Sequence, residues 1–187
     1  MSLRANSPAQ QTLRLPKLVE SDPRGPQLLD SLKAHTQPLW PESEISIPAA
    51  MLTTELAEAL KKAHASGQVI RGLENAERAL AVEERGLQMA DRKTGAPRGD
   101  RVSRLILLAN DGADRFYRNV ETMLHRHGPR VLAVRLETDA GGLGELLFGP
   151  GRIARLVMLE RKQAVGDVLL AMAGSICQGK HAERGGE

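Results

Sequence analysis

Three polar residues follow an apolar run at 105–109 that predicts a buried strand: Asn110, Asp111 and Asp114. Enzymes with α/β folds often carry catalytic groups at the end of such a strand. Carboxylates at the same place also cap the helix that follows the strand. Capping is the simpler interpretation, and an enzyme built around these three residues is the alternative that stays open.

Histidines are the second set of residues that could support chemistry. His125 and His127 flank an arginine at the end of a predicted helix, where they fall on different faces. A helix C-terminus favours positive charge, which explains basic residues there without a catalytic role. No His-Glu-x-x-His spacing occurs, and no serine lies in a nucleophile-elbow pattern. We therefore expect no catalytic residue, no metal site and no cofactor, and hence no enzyme.

A glycine-rich stretch formed by Gly141, Gly142 and Gly144 invites comparison with phosphate-binding loops. It matches neither the P-loop pattern nor the dinucleotide fingerprint. Glu137 and Asp139 precede it, and two carboxylates at the start of a helix repel a phosphate. Thr138 or Asp139 is instead expected to cap the helix that follows.

The composition describes a chain that can build one apolar core. Of its 187 residues, 41% are hydrophobic but only 2% are aromatic, so the core must consist of aliphatic side chains and methionine. A net charge of +3 is compatible with a phosphate-rich partner and equally with none. A lone cysteine, Cys177, excludes an intrachain disulfide. Without an apolar run of about 18 residues or an N-terminal signal segment, we expect a cytoplasmic protein and no membrane contact.

Proline is dense throughout the first fifty residues and predicts a largely irregular N-terminal arm over residues 1–50. Only residues 26–34 have the apolar spacing of a short helix. Trp40, between Pro38 and Pro41, is the one large side chain of the arm. We expect it to pack the arm onto the domain, with base stacking as the alternative.

From residue 51 onward, helical and strand patterns alternate. Helical spacing occurs at 51–66, 73–84, 113–127, 143–148 and 162–173, and strand patterns at 68–71, 105–109, 131–136 and 154–159. Residues 85–101 are expected to form a polar loop, at least in their latter part. This order predicts an α/β domain over residues 51–173: a three-layer α-β-α sandwich with a small, mostly four-stranded mixed sheet. Residues 174–187 are expected to be a disordered tail.

Several short motifs occur in an order that is specific in combination. Gly67 and Gly72 bracket the strand Gln68-Val69-Ile70-Arg71, and Arg78-Ala79-Leu80 lies in the helix that follows. A buried strand then runs into an acidic turn at 105–111, and a Leu-Gly helix occupies 143–149. Over residues 52–173 the chain resembles the kink-turn RNA-binding superfamily of ribosomal proteins, the L-seven-Ae and L-thirty-e type, and most closely its bacterial YlxQ-like branch.

This resemblance implies which residues would contact RNA. The family's helix start, Gly-x-Asn-Glu-x-x-Lys, corresponds to Gly72, Glu74, Asn75 and Arg78, with the amide and the carboxylate in reverse order. Glycine lets the backbone approach RNA closely, and a helix N-terminus offers unpaired N–H groups to phosphate. The second contact loop corresponds to Pro150, Arg152 and Ile153, where an apolar residue covers an extruded base and the arginine meets phosphate.

The segment 86–101 is longer than in the family pattern. Its cations, Arg92, Lys93, Arg98 and Arg101, suggest an additional basic arm for the RNA backbone, which we expect near the start of the 73–84 helix and the 150–153 loop. A solvated loop with no specific role is the alternative.

The expected function is noncatalytic binding of structured RNA, ribosomal or another folded noncoding RNA. Two alternatives use the same fold: a protein–protein interaction module, favoured by the acidic 137–139 loop, and an accessory RNA-recognition domain for an RNA-modifying enzyme.

Overall fold

The computed structural model describes residues 13–96 and 98–176. From residue 51 onward, helices and strands alternate along the chain as the sequence predicts. The helices are α1 (Lys17–Glu20), α2 (Gly25–Ala34), α3 (Thr54–Ala65), α4 (Leu73–Thr94), α5 (Asp114–His127), α6 (Ala140–Phe148) and α7 (Lys162–Ala171). The strands are β1 (Thr36–Pro38), β2 (Ser46–Ala50), β3 (Val69–Arg71), β4 (Arg104–Leu108), β5 (Val131–Leu136) and β6 (Leu156–Leu159).

The strands form one mixed sheet in the order β1-β2-β5-β4-β6-β3. The central strands β4 and β5 are parallel, whereas β6 is antiparallel to β4 and β3 is antiparallel to β6. The α/β class is confirmed, but the expected four strands are wrong, because the sheet has six.

The two additional strands come from the proline-rich segment. β1 and β2 form an antiparallel pair, and β2 joins the sheet by parallel pairing with β5. Pairing to β5 involves only Ala49 and Ala50, which follow Pro48. Proline cannot donate to a sheet ladder; Pro48 lies outside the residues paired with β5 and faces Thr36 on the β1 side. The described part of the predicted arm thus contributes two strands and two helices to the fold.

Helices cover both faces of the sheet. Alternate residues of β4 point to opposite sides: Leu105 and Leu107 pack with α3, α6 and α7, whereas Ile106 and Leu108 pack with α4 and α5. This alternation is the period-two geometry of a strand buried on both faces. The first face also holds buried leucines of α2, so the N-terminal segment shares the core of the domain.

Trp40 anchors the β1–β2 pair to α5, as expected from the sequence. Its indole Nε1 donates to Glu121 Oε2 at 2.6 Å, and the Arg118 guanidinium lies 4.6 Å from its ring centroid. The second oxygen of Glu121 accepts from Ser43 Oγ at 2.8 Å and from the Glu44 backbone N–H at 2.9 Å. Burial acts to raise the pKa of Glu121, but these hydrogen bonds outweigh it and lower that pKa.

Removing the carboxylate of Glu121 should loosen this anchor. We expect Glu121→Ala to lower the free energy of unfolding by about 2 kcal/mol, because three donors lose a charged acceptor. Urea denaturation at neutral pH measures the change. Glu42→Ala, an exposed residue of the same connection, is the matched control and should change stability by less than about 0.5 kcal/mol. Equal effects of the two substitutions would contradict the anchoring role of Glu121.

Helix α4 extends well beyond the predicted residue 84, to Thr94. Gly86 costs a helix only about 1 kcal/mol, and its neighbours after position 86 are mostly good helix formers. The helix ends where Gly95 takes a left-handed conformation with φ of 61°. The expected polar loop is therefore confined to the residues between Gly95 and Arg104, and Pro97 lies outside the described residues.

The C-terminal end of the described chain returns to the sheet. Met51 N donates to Ser175 O at 2.8 Å, and Ile176 forms a bridge with Ala50. Gly174, Ser175 and Ile176 therefore belong to the ordered fold. The remainder of the expected tail, from Cys177 on, and residues 1–12 lie outside the described residues. Within the described ranges, no helix is long and apolar enough to cross a membrane.

Candidate nucleic-acid interface

The two segments that the resemblance singles out lie side by side at one end of the sheet. β3 pairs with β6 so that Arg71 lies opposite Val157, and Gly72 N donates to Leu156 O at 2.9 Å. The start of α4 therefore adjoins the loop that leads into β6. Two regions about 80 residues apart in sequence thus form one surface, which we call the Gly72 surface.

Arg71 ties the two segments together. Its Nε donates to Ile153 O at 3.2 Å, and its Nη2 donates to the same oxygen. The guanidinium also lies 4.9 Å from the ring centroid of Phe148, the last residue of α6. Arg71 was not among the predicted contact residues. Its signal in the sequence was its place as the cation directly before Gly72.

Helix α4 begins after a partly exposed glycine, without a side-chain cap. Gly72 has a φ of 88°, a conformation that favours glycine, and no side chain caps the helix. No capping side chain therefore accepts a hydrogen bond from the first N–H groups of α4, and these groups give the helix start a partial positive charge. An anion approaching this end meets both features.

Three predicted residues of the first turns of α4 contact one another. Asn75 Nδ2 donates to Arg71 O at 3.0 Å, and its Oδ1 accepts from Arg78 at 3.3 Å. Arg78 also pairs with Glu74 at 3.1 Å, with 67% and 88% of the two side chains exposed. An ion pair this exposed is worth little, so Arg78 can exchange Glu74 for a phosphate at small cost.

The second segment is held close to α6. A Cβ on Gly144 would lie 2.2 Å from Arg152 O and 2.6 Å from Ile153 Cα, so only glycine permits this approach. Gly149 and Gly151 have positive φ values of 98° and 72° and shape the loop. Pro150, Arg152 and Ile153 are all exposed, Ile153 by 51%. The loop thus offers a cation and an apolar side chain beside the start of α4.

The cations of the predicted basic arm lie far from the Gly72 surface. Arg92 and Lys93 occupy the last turn of α4, whose 22 residues span about 33 Å from the Gly72 surface. Arg98 pairs with Glu84 at 2.7 Å and with Asp91 at 2.8 Å. Arg101 donates to Leu15 O at 2.9 Å and pairs with Glu20. Our expectation that this segment lies near the helix start is therefore wrong, because α4 carries it to the opposite end of the sheet.

Pairing with Arg98 also sets the ionisation of Glu84. The hydrogen bond from the Arg98 guanidinium lowers the pKa of this carboxyl group, against the effect of burial. Glu84 is therefore ionised at neutral pH and holds the chain after α4 against the helix.

The acidic residues that follow β4 and β5 have structural roles that differ in detail from the expectation. Asp139 caps α6, accepting from Gly142 N at 2.6 Å, as predicted. Asp111 accepts from Ala140 N at 3.0 Å and so also serves α6, whereas α5 begins at Asp114 without a side-chain cap. Two carboxylates at the start of α6 leave no place for a phosphate there.

The two histidines at the end of α5 occupy different environments. His125 is exposed, whereas His127 is buried. Burial, together with the nearby charge of Arg130, lowers the pKa of His127, so this residue adds no positive charge to the helix C-terminus at neutral pH. In the described part of the chain, no group of three or more His, Cys, Asp or Glu residues has the arrangement of a metal site.

No protein-family model matches the sequence, and no curated protein matches it. Among solved structures, the fold is similar to a protein of unknown function from Bacillus halodurans, with 16% identity, a TM-score of 0.42, and coverage of 64% of this chain and 96% of that one. It is also similar to the 15.5 kD RNA-binding protein of Giardia lamblia, with 20% identity, a TM-score of 0.41, and coverage of 64% and 82%.

Proposed function

We propose that the protein binds structured RNA without catalysing a reaction, and that the Gly72 surface is the contact site. The family resemblance implies a kink-turn as the recognised element, within ribosomal or another folded noncoding RNA. Gly72 and the uncapped start of α4 face one side of the RNA backbone, with Glu74, Asn75 and Arg78 beside them. Pro150, Arg152 and Ile153 face the other side.

The observation that carries this proposal is the contact between Arg71 and Ile153 O. It unites two segments that are distant in sequence into a surface with exposed cations, an uncapped helix start and an exposed isoleucine. Phosphates favour cations and helix N-termini, and an unstacked base favours an apolar side chain. One connected surface offers all three.

Reversing a charge on this surface should weaken RNA binding. We expect Arg152→Glu and Arg78→Glu each to lower the affinity for a kink-turn RNA by roughly tenfold, because each removes one charge-assisted contact with phosphate. Gel-shift titration at low salt measures the affinity. The slope of log affinity against log salt should fall by about 1 for each variant, since one fewer counterion is released.

Arg126→Glu is the matched control for net charge. Arg126 is exposed in the last turn of α5, which leads into the first residue of β5 at the other end of the sheet. We expect its affinity to remain within about twofold of the wild type. If neither a kink-turn RNA nor total ribosomal RNA binds near micromolar concentration at low salt, the protein does not have this function. If Arg126→Glu weakens binding as much as Arg152→Glu, the contact site lies elsewhere.

A further inference from the structure

A cavity of about 610 Å³ opens at the end of the sheet opposite the Gly72 surface. It lies below the first residues of β4, between the second half of α4, α1 and the start of α7. We call it the β4 cavity; its lining includes Lys17, Glu83, Ser103, Arg104, Arg130 and Lys162. Small-molecule sites commonly have volumes of about 300–1,000 Å³, so this one can hold a ligand of nucleotide size.

The lining carries an excess of positive charge. Seven basic side chains line the β4 cavity against two acidic ones, and three further carboxylates pair with the cations from outside the lining. Two positive charges remain in excess. Lys17 and Lys162 account for them, because within the described residues neither one forms an ion pair.

Two buried polar side chains in the wall have unused hydrogen-bonding atoms. The side chain of Arg130 is only 9% exposed; its Nη1 donates to Glu83 at 3.0 Å, whereas Nη2 has no hydrogen bond and lies 3.6 Å from Glu84. Ser103 is also 9% exposed, and its Oγ has no hydrogen-bond partner. Both atoms lie just beneath the cavity surface, shielded from solvent. Buried polar atoms are rarely left without partners, and the Ser103 hydroxyl can reach an acceptor in the cavity by rotating about its Cα–Cβ bond.

The start of α7 adds a further source of positive potential. Lys162 and Gln163 are the first two residues of this ten-residue helix, and both line the β4 cavity. Its N-cap, Arg161, makes no side-chain capping bond, so no side chain accepts from the first N–H groups of α7. Anions are stabilised at such a helix end.

From these observations we propose that the β4 cavity binds a phosphate or diphosphate group. Lys162 and the start of α7 face the phosphate oxygens, Lys17 supplies the second free cation, and the Ser103 hydroxyl donates once its side chain rotates toward the cavity. The phosphate belongs either to a free small molecule or to the end of an RNA chain. This binding is independent of the Gly72 surface, because the two sites lie at opposite ends of the sheet.

Isothermal titration of the full chain with inorganic pyrophosphate in low-salt buffer tests the proposal. The wild type should bind, Lys162→Glu should bind roughly tenfold more weakly, and Ser103→Ala should show a smaller loss. A glutamate in the first turn of a helix is favourable, so Lys162→Glu should keep the fold, which circular dichroism checks. Lys33→Glu makes the same charge change at an exposed position of α2 and should bind as the wild type does.

A second titration distinguishes the two sources of phosphate. If a ten-nucleotide RNA with a 5′-phosphate binds better than its 5′-hydroxyl counterpart, and Lys162→Glu abolishes that difference, the ligand is an RNA terminus. If pyrophosphate binds but the two RNAs bind equally, the ligand is a free phosphate compound. The proposal is overturned if neither probe depends on Lys162, or if Lys33→Glu weakens binding as much. Arg152→Glu should leave pyrophosphate binding unchanged, because Arg152 belongs to the Gly72 surface. Failure of the proposed RNA binding and failure of the proposed phosphate binding can therefore be told apart.

Discussion

Gly144→Ala is expected to lower the free energy of unfolding by about 3 kcal/mol, the upper end of the range for overpacked sites. The added Cβ would lie within 2.6 Å of three backbone atoms of Arg152 and Ile153. Backbone atoms cannot rotate away as a side-chain tip can, so the 152–153 segment or α6 must shift. Urea denaturation measures the loss of stability. A gel shift below the unfolding transition should also show weaker RNA binding, because the displaced segment carries Arg152.

Gly141→Ala is the matched control on the same helix. Its Cβ would meet only Asp139 Oδ1, at 3.4 Å, which is an ordinary contact. Alanine is a better helix former than glycine, so this variant should be unchanged or more stable by about 0.5–1 kcal/mol. Should Gly144→Ala prove as stable as Gly141→Ala, the close approach of α6 to the loop does not exist. A loss of stability with unchanged RNA affinity would place the RNA contact away from this loop.

The periodic parts of the chain were predictable because local patterns determine them. Residues 105–109 are a continuous apolar run, and burial on both faces of the sheet follows from such a run. The contribution of the N-terminal segment could not be predicted in this way. Pro38 and Pro48 disfavour strands locally, yet both lie in the β1–β2 pair, which joins the sheet through Ala49 and Ala50. Tertiary pairing overrides local propensity there.

The adjacency within the Gly72 surface depended on topology. Sequence motifs identified the start of α4 and the 150–153 loop separately, but only the pairing of β3 with β6 brings them together. The role of Arg71 as the link was missed, because a backbone carbonyl such as Ile153 O carries no signal in the side-chain pattern. The position of the cations in residues 92–101 was predicted wrongly for a related reason. The length of α4, which is terminated by Gly95, determines which end of the sheet these cations reach.

The β4 cavity left no local signal in the sequence. Its cations come from separate elements: Lys17 from α1, Arg104 from β4 and Lys162 from α7. No two of these residues belong to one motif. Glu83 was equally unremarkable, as one of several acidic residues along a predicted amphipathic helix. Its structural importance follows only from the arginines that the sheet places beside it.

Glu83→Gln is expected to lower the free energy of unfolding by about 2–3 kcal/mol. Glu83 Oε1 forms an ion pair with Arg104 Nη2 at 2.8 Å and accepts a hydrogen bond from Arg130 Nη1 at 3.0 Å, and the Arg130 side chain is nine-tenths buried. Replacing the carboxylate with an amide leaves two cations close together without their shared counter-charge. Breaking a buried pair costs about 3–5 kcal/mol, and the 24% exposure of Glu83 reduces this value. Urea denaturation at neutral pH measures it.

Glu74→Gln on the same helix is the control, because its pair with Arg78 is exposed and should contribute less than about 0.5 kcal/mol. Equal effects of the two substitutions would show that the Glu83 pairs do not stabilise the fold.

If the β4 cavity binds phosphate, pyrophosphate should raise the midpoint of thermal unfolding more for Glu83→Gln than for the wild type. The reason is that the substitution releases Arg104 and Arg130 to meet the anion, so the ligand restores the counter-charge that Glu83 supplied.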